Sequence, residues 1–161
     1  MSGARPAPAE RLLGLWRRLQ PLPAGSWIFS RCLGVMVPYT GSIGAHVREL
    51  RPGFARVTMR DRRAVRNHLG SVHAVALVNL GEVASGLALI TQLPPGIRSI
   101  AVALSIEFLK KARGPLVCES TCIAPPVTAS VEHDIVADIR DQAGDTVACI
   151  RVRWRLSPPL A

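Results

Sequence analysis

The sequence predicts an α+β domain in which an antiparallel sheet wraps around one long buried helix. Two strand-like segments precede a helix-length run of apolar residues, and four further strand candidates follow it. A strand that alternates apolar and polar residues buries one face, whereas a helix that is apolar on all sides must be covered by other elements. A sheet packed on the helix satisfies both demands, in the order two strands, one helix, four strands.

The first predicted element is a short N-terminal amphipathic helix. Four apolar residues within residues 9–20 fall on one stripe, with arginines beside it: Leu12, Leu13, Trp16 and Leu19. Pro21 follows directly and ends the pattern. We interpret residues 1–43 as this helix with a connecting segment, and residues 44–161 as the main domain.

A hairpin and the long helix come next. Apolar and polar residues alternate between Gly44 and Asp61, and Arg51-Pro52-Gly53 interrupts them with typical turn residues. Residues 72–92 form the most apolar helix-length segment of the chain, which the prolines of Pro94-Pro95-Gly96 end. Because this helix has no polar face, we expect the sheet and a second subunit to cover it.

The remaining strand candidates are closely spaced and separated by turn residues. They cover residues 99–111, 115–124, 129–141 and 146–157. Alternation is clearest in the last two, where Ile135 and Ile139, then Ile150 and Val152, fall on one face. These segments are expected to complete the antiparallel sheet.

Composition limits the location of the protein. With 161 residues, 48% of them hydrophobic, the chain is long enough for one globular domain. Its apolar runs stay below the roughly eighteen residues that a membrane-spanning helix requires. Pro6 and Glu10 interrupt the N-terminal region where a secretory signal would need an apolar core. We therefore expect a cytoplasmic protein without a membrane span.

The net charge of +9 is unevenly distributed. Residues 1–66 contain twelve arginines against three acidic residues, whereas the rest of the chain holds eight of each sign. No nucleic-acid-binding motif accompanies the excess, so we expect no nucleic-acid partner. We interpret it as a solvated face able to attract polyanions such as the phosphates of a coenzyme, with weak contact to anionic lipid as the alternative.

The four cysteines do not predict a metal site. They are Cys32, Cys118, Cys122 and Cys149, and they lack the two closely spaced pairs that structural zinc normally requires. We interpret them as small apolar residues of the core. No metal is expected.

One charge interrupts the apolar helix. Glu82 is flanked by Leu80, Val83 and Leu87. An unpaired carboxylate in such surroundings costs several kcal/mol or takes up a proton. A glutamate that reaches solvent at the helix edge is the structural alternative. We predict that Glu82 is the key chemical group of the protein.

A polar segment immediately before the helix supplies further candidates. Residues 66–74 include Asn67 and His73, and the start of a helix exposes free backbone N–H groups. If the helix begins near Ala74, Glu82 lies about 12 Å further along its axis at 1.5 Å per residue. One chain cannot bring these groups together, but two antiparallel copies around a twofold axis can. The sequence therefore predicts a homodimer with two composite sites, and leaves a tetramer open.

The order and spacing of these residues carry a family resemblance. An Asn or Gln in a loop, a His-Gly-Gly at a helix start and an acidic residue nine positions after the His are matched by Asn67, His73 and Glu82. Residues 44–156 thus resemble the hot-dog superfamily, in particular the acyl-CoA thioesterases of the phenylacetate-degradation type and related uncharacterised hot-dog domains. The chain departs from that pattern at Ala74, which stands where the family has glycine.

The resemblance implies a hot-dog fold and a role for each matched residue. Glu82 would be the general base for water or the nucleophile that forms an anhydride, and Asn67 would position the attacking group or the thioester. The backbone N–H of Ala74 would polarise the thioester carbonyl with help from His73. The resemblance implies no cofactor, and it suggests as substrate-binding residues, near the phosphates of coenzyme A, Lys110, Lys111, Arg113 and Gly114.

Three functions are compatible with these residues. The first is hydrolysis of an acyl-CoA or acyl-carrier thioester by Glu82. The second is an enoyl-thioester hydratase or dehydratase, since His68 precedes Glu82 by fourteen residues, although the Phe-Pro-Gly element of those enzymes is missing. The third is a non-catalytic acyl-CoA-binding protein, which Ala74 favours because its methyl group narrows the approach to the backbone.

Overall fold

The computed structural model describes residues 8–159 as one sheet with helices packed on it. The helices within these residues are α1 (Pro8–Leu19), α2 (Gly25–Met36), α3 (Pro38–Ile43) and α4 (Ala74–Ile90), with a 3₁₀ turn at Arg63–Val65. The strands are β1 (His46–Arg51), β2 (Phe54–Met59), β3 (Arg98–Phe108), β4 (Leu116–Thr121), β5 (Val131–Arg140) and β6 (Thr146–Ser157). The predicted order of two strands, a long helix and four strands is confirmed.

The six strands form a single antiparallel sheet in the order β1-β2-β4-β5-β6-β3. The strand that follows α4, β3, crosses to the far edge and pairs with β6, from Arg98 opposite Ser157 to Phe108 opposite Ala148. The two edges of the sheet are therefore β1 and β3. The predicted hairpin is β1-β2, which turns at Pro52 and Gly53.

Helix α4 lies across one face of the sheet and forms the centre of the core. Leu80, Ala84 and Leu89 are fully buried and contribute to one hydrophobic cluster with the inner residues of the strands. Gly81 faces the side chain of Ile150 so closely that an added Cβ would overlap it. This glycine allows the helix to approach β6 without displacing the sheet.

The N-terminal part of the chain contains more helix than the sequence predicted. Helix α1 matches the predicted amphipathic helix, and its Trp16 packs edge-on against Phe29 of α2 with ring centroids 5.1 Å apart. The segment predicted to be a connection forms α2 and α3. Its sequence lacks a clear amphipathic stripe, and tertiary hydrogen bonds hold it: Ser30 Oγ accepts from the Val47 N–H at 2.9 Å, at the edge of β1.

The boundary between residues 1–43 and 44–161 stays a prediction, and within that division residues 1–7 and 160–161 lie outside the described residues. In the described part of the chain, every helix is too short or too polar to cross a membrane.

Candidate active site

Glu82 lies on the outward-facing stripe of α4. Val75 and Val78 share this stripe at helical spacing, and Val75 is 49% exposed. Glu82 itself is half-buried, and burial raises the pKa of its carboxyl group. No hydrogen-bond or ion-pair partner for this carboxylate occurs among residues 8–159. The carboxylate is thus neither covered by the sheet nor freely solvated.

Asn67 closes the loop that precedes α4. Its Oδ1 accepts hydrogen bonds from the Leu69 N–H at 2.9 Å, from the Ser71 N–H at 3.2 Å and from the Ser71 hydroxyl at 3.2 Å. The Asn67 N–H donates to the Ser71 carbonyl at 2.8 Å. Within the described residues the Nδ2 amide of Asn67 has no acceptor, so it is available to a ligand.

His73 is the N-cap of α4 and leaves one helix donor free. Its Nδ1 accepts from the Val75 N–H at 3.1 Å, while its carbonyl accepts from Ala76 and Leu77. In this arrangement the neutral imidazole carries its proton on Nε2, away from the helix. The Ala74 N–H finds no acceptor in the described part of the chain, so it is free to bind a carbonyl or an oxyanion.

Asn67 and Ala74 line a cleft of about 390 Å³, which we call the Asn67 cleft and which His73 does not line. It is lined by Asn67, Ser71, Val72, Ala74, Leu77, Phe108, Leu109, Lys110, Lys111 and Ala112. The structure therefore brings together Asn67, Ala74 and the two lysines predicted from the sequence. It does not bring Glu82 to them, because this residue lies about 12 Å further along α4 at 1.5 Å per residue.

The basic residues near the cleft differ in their availability. Lys110 Nζ lies 2.7 Å from Asp141 Oδ2 and 2.5 Å from Asp145 Oδ2, and these carboxylates raise the pKa of its ammonium group. Lys111 and Arg113 are exposed and form no ion pair within residues 8–159. They are therefore better placed than Lys110 to bind an additional anion.

Asp61 joins the two loops that frame the cleft, a role that the sequence did not reveal. Its side chain is only 7% exposed, and it accepts from Arg66 Nε at 2.6 Å and from the Gly114 N–H at 2.8 Å. The hydrogen bond from Arg66, supported by that from Gly114, holds the pKa of the Asp61 carboxyl below its usual value. Gly114, with φ +72°, thus contributes to the loop structure and does not line the cleft.

The remaining reactive side chains do not form a competing centre. Burial raises the pKa of the Cys118 thiol in β4 and of the Cys122 thiol, whose Sγ lies 3.8 Å from His133 Nε2. Both thiols therefore stay protonated, unlike nucleophilic cysteines. His68 is exposed in the loop before α4. Among residues 8–159, no three His, Cys, Asp or Glu side chains are grouped to hold a metal ion.

The sequence and the structure were compared with those of known proteins, and both comparisons find relatives. A family model for a domain of unknown function (DUF4442) matches residues 25–156. A structural-genomics protein is 30% identical, and the alignment covers 93% of this chain and 98% of that one with a TM-score of 0.78. No curated protein gives a significant match.

Two further proteins of similar structure are described as thioesterases. A Pseudomonas aeruginosa protein of unknown function, described as a probable thioesterase, is 22% identical over 85% of this chain and 97% of its own, with a TM-score of 0.73. A thioesterase family protein from Silicibacter pomeroyi is 19% identical over 80% and 96%, with a TM-score of 0.69. The predicted hot-dog fold is thereby confirmed.

Proposed function

The chain belongs to the DUF4442 family, and from that premise we propose that it hydrolyses acyl thioesters at a site shared between two subunits. The relatives described as thioesterases support this reaction class. The observation that carries the proposal is Glu82, a half-buried carboxylate that has no partner among residues 8–159 and is the one charged residue of α4. Burying a carboxylate without a partner lowers the stability of the fold, and such groups are found most often where their reactivity serves a function.

The raised pKa of Glu82 suits a general base. A carboxylate whose proton affinity is increased by burial removes a proton from water more effectively than a solvated one. Attack of the resulting hydroxide on the thioester carbonyl would release the thiol. Direct attack by the carboxylate, which would form an anhydride, uses the same residue.

The Asn67 cleft supplies donors for the other half of the reaction. Asn67 and Ala74 both line it, the Asn67 Nδ2 amide and the Ala74 N–H have no acceptor among residues 8–159, and the Ala74 N–H lies at the positive end of a 17-residue helix. Two such donors stabilise the negative charge that develops on a thioester carbonyl. His73, which caps the helix, would assist through its Nε2 proton.

A second copy of the chain would bring Glu82 to these donors. The exposed edge strand β3 supports this dimer, because Leu104 and Phe108 lie opposite the buried Val152 and Ala148 of β6 and so face the helix side of the sheet. They are nevertheless 49% and 53% exposed, since α4 does not cover them. Phe108 also lines the Asn67 cleft, so the uncovered edge is continuous with the candidate site.

The substrate would be an acyl-CoA or an acyl-carrier thioester. Lys111, which lines the cleft, and Arg113, two positions further along the chain, are proposed to face the phosphates of the carrier group. We also propose a cytoplasmic location, where such thioesters would be available.

A non-catalytic acyl-CoA-binding protein is the second candidate. Ala74 is exposed in the wall of the cleft, so its methyl group lies where the related enzymes have glycine. Binding without turnover would result if this methyl group kept the carbonyl from the backbone N–H.

Thiol release from acyl-CoAs of increasing chain length tests the proposal. We expect the parent protein to release thiol. The rate of thiol release by Glu82→Gln should be lower by a factor of at least about 100, as is typical when a general base is lost. Glu10→Gln, an exposed carboxylate on α1, is the matched control and should retain the parental rate. Thermal stabilisation by acyl-CoA without thiol release would instead identify a binding protein. Equal rates for the parent and Glu82→Gln would exclude the proposed chemistry.

A further inference from the structure

We propose that a second cavity, between α2, α3 and the outer ends of β1, β2 and β4, binds a small organic anion with an apolar body. This cavity has a volume of about 700 Å³, and we call it the arginine cavity. It is built at the β1 side of the sheet, whereas the proposed dimer edge is β3 at the other side. The proposal does not depend on the thioesterase function.

The cavity concentrates positive charge, and no carboxylate occurs among the described residues that line it. Its lining includes Arg31, Arg48, Arg60 and Arg62 and contains no Asp or Glu. Among residues 8–159 none of these four arginines forms an ion pair. Four of the twelve arginines of residues 1–66 therefore line one concave site.

Two arginines elsewhere on the sheet are paired with carboxylates. Arg56, on the neighbouring surface, contacts both Glu49 and Glu119, and Arg153 binds Asp134 with two hydrogen bonds. These two arginines of the sheet surface are thus neutralised, whereas those of the cavity have no carboxylate partner among the described residues. Unpaired like charges within one cavity repel each other, and an anionic ligand would relieve this repulsion.

Neutral groups hold three of the cavity arginines in place. Arg48 Nε donates to Thr58 Oγ1 at 3.2 Å, and Arg62 Nη2 donates to the Ser42 carbonyl at 2.7 Å. The Arg31 guanidinium lies 5.8 Å from the centroid of the Trp27 ring. These contacts orient the guanidinium groups without cancelling their charge, which leaves further N–H donors for a carboxylate or a phosphate.

The walls between the arginines are apolar. Trp27 and Val35 of α2 line the cavity and are 56% and 75% exposed, and Pro38 and Val117 contribute on other sides. Large apolar groups beside unpaired cations match a ligand that has both an anionic head and an apolar body. A cavity of this size is in the range of pockets that hold small organic molecules.

The positive charge of the cavity also affects the imidazole of His46. It lines the cavity, and its Nε2 lies 3.0 Å from Ser26 Oγ, so this imidazole anchors α2 to β1. Burial lowers the pKa of His46, and the nearby Arg48 and Arg60 lower it further. The cavity therefore disfavours an additional cation, which is consistent with selection for anions.

Binding measurements with four probes test the proposal. Decanoate and adenosine 3′,5′-bisphosphate each combine an anionic group with an apolar or aromatic body, inorganic phosphate has only the charge, and methyl decanoate has only the chain. We expect decanoate or the bisphosphate to bind at least about 10-fold more tightly than phosphate or methyl decanoate, and more weakly as salt is added. The tighter of the two anions identifies the head group, carboxylate or phosphate.

Variants assign the binding to the arginine cavity. We expect Arg31→Gln/Arg60→Gln to weaken binding about 10-fold by loss of two charged donors, and Arg31→Lys/Arg60→Lys to retain most of it. Arg11→Gln/Arg18→Gln removes the same charge from α1 and should bind as the parent does. Melting curves without ligand establish that each variant is folded.

Two results would overturn the proposal. One is that neither anion binds more tightly than methyl decanoate. The other is that Arg31→Gln/Arg60→Gln, folded by its melting curve, binds the anion as tightly as Arg11→Gln/Arg18→Gln.

Discussion

Single residues carry the chemistry of the candidate site, and Glu82 is the residue whose surroundings suit it least. Its neighbours on the outward stripe of α4 are Val75 and Val78, and no cation or hydrogen-bond donor of the described residues approaches its carboxylate. Burial alone raises its pKa. If Glu82 serves catalysis as proposed, it would do so at a cost to the stability of the fold, as is common at active sites.

Glu82→Gln should therefore stabilise the protein in a pH-dependent way. Because the folded-state pKa of Glu82 lies above its ordinary value of 4.5, the folded state binds more protons and loses stability as the pH rises from 4.5 through the raised pKa. We expect the variant to be more stable than the parent by up to about 1 kcal/mol at neutral pH and equally stable below pH 4.5. Urea unfolding at several pH values measures this, and a gain that persists at low pH would contradict it.

Asn67 combines a structural and a proposed catalytic role that two substitutions can separate. Asn67→Ala removes the acceptor of three loop hydrogen bonds and should lower both stability, by about 1–2 kcal/mol, and thiol release. Asn67→Asp keeps the acceptor but replaces the free Nδ2 donor by a negative oxygen. We expect near-parental melting but strongly reduced thiol release. Parental activity in Asn67→Asp would show that the amide donor is not used.

At the scale of elements, the candidate site depends on how loops are fixed to the ends of α4 and β3. The Asn67 loop is tied to the 112–114 segment by the Val72 N–H, which donates to the Ala112 carbonyl at 2.9 Å, and by the Asp61 carboxylate. Both attachments join parts of the chain that are distant in sequence. The position of the Asn67 cleft thus depends on long-range contacts.

Asp61→Ala should loosen this connection. It removes hydrogen bonds from Arg66 and Gly114, one of them charged, so we expect a loss of roughly 1–3 kcal/mol in the free energy of unfolding. Since the folded-state pKa of Asp61 is lowered, its contribution is present above its ordinary pKa of 3.8 and disappears as the pH falls through the folded-state value. Asp138→Ala, which removes an exposed carboxylate of β5, should cost much less.

Hydrogen exchange of the amides would locate the effect of Asp61→Ala. Faster exchange confined to the 61–73 and 110–114 segments is expected, whereas uniform destabilisation of the whole sheet would contradict a local role for Asp61.

At the scale of the molecule, the proposed site requires two chains. In a dimer, Glu82 from one subunit would meet Asn67 from the other, while the apolar residues of β3 would be covered. The arginine cavity lies on the β1 side and would stay open in such a dimer.

Mixed dimers give a direct test. Glu82→Gln and Asn67→Asp should each be inactive alone, but a dimer of the two contains one site with both native residues. About half of the randomly mixed dimers contain both variants, and each of these has one intact site out of two. Co-refolding equal amounts should therefore restore about a quarter of the parental activity. Restoration should be lost when Leu104→Glu is added to both chains, since a charge would then oppose burial of β3. No restoration in a demonstrated mixed dimer would place the whole site in one chain.

Local patterns in the sequence were sufficient for most of the fold. Alternation located the hairpin and the last strands, the apolar run located α4, and the isolated Glu82 marked the candidate site, because side-chain periodicity directly reflects which face is buried. The helices α2 and α3 were not predicted, because they lack an amphipathic pattern and are held by tertiary hydrogen bonds such as that from the Val47 N–H to Ser30 Oγ.

Other features could emerge only once the chain was folded. Asp61 and Gly114 are 53 positions apart, the Asn67 cleft combines a loop with the end of β3, and the carboxylates that neutralise Lys110 come from the β5-β6 turn. The arginines of the second cavity are likewise spread along the chain, with Arg31 on α2, Arg48 on β1, and Arg60 and Arg62 in the loop after β2. Periodicity specifies which side of an element is buried, but contacts between distant segments decide which charges are paired and which remain free for a ligand.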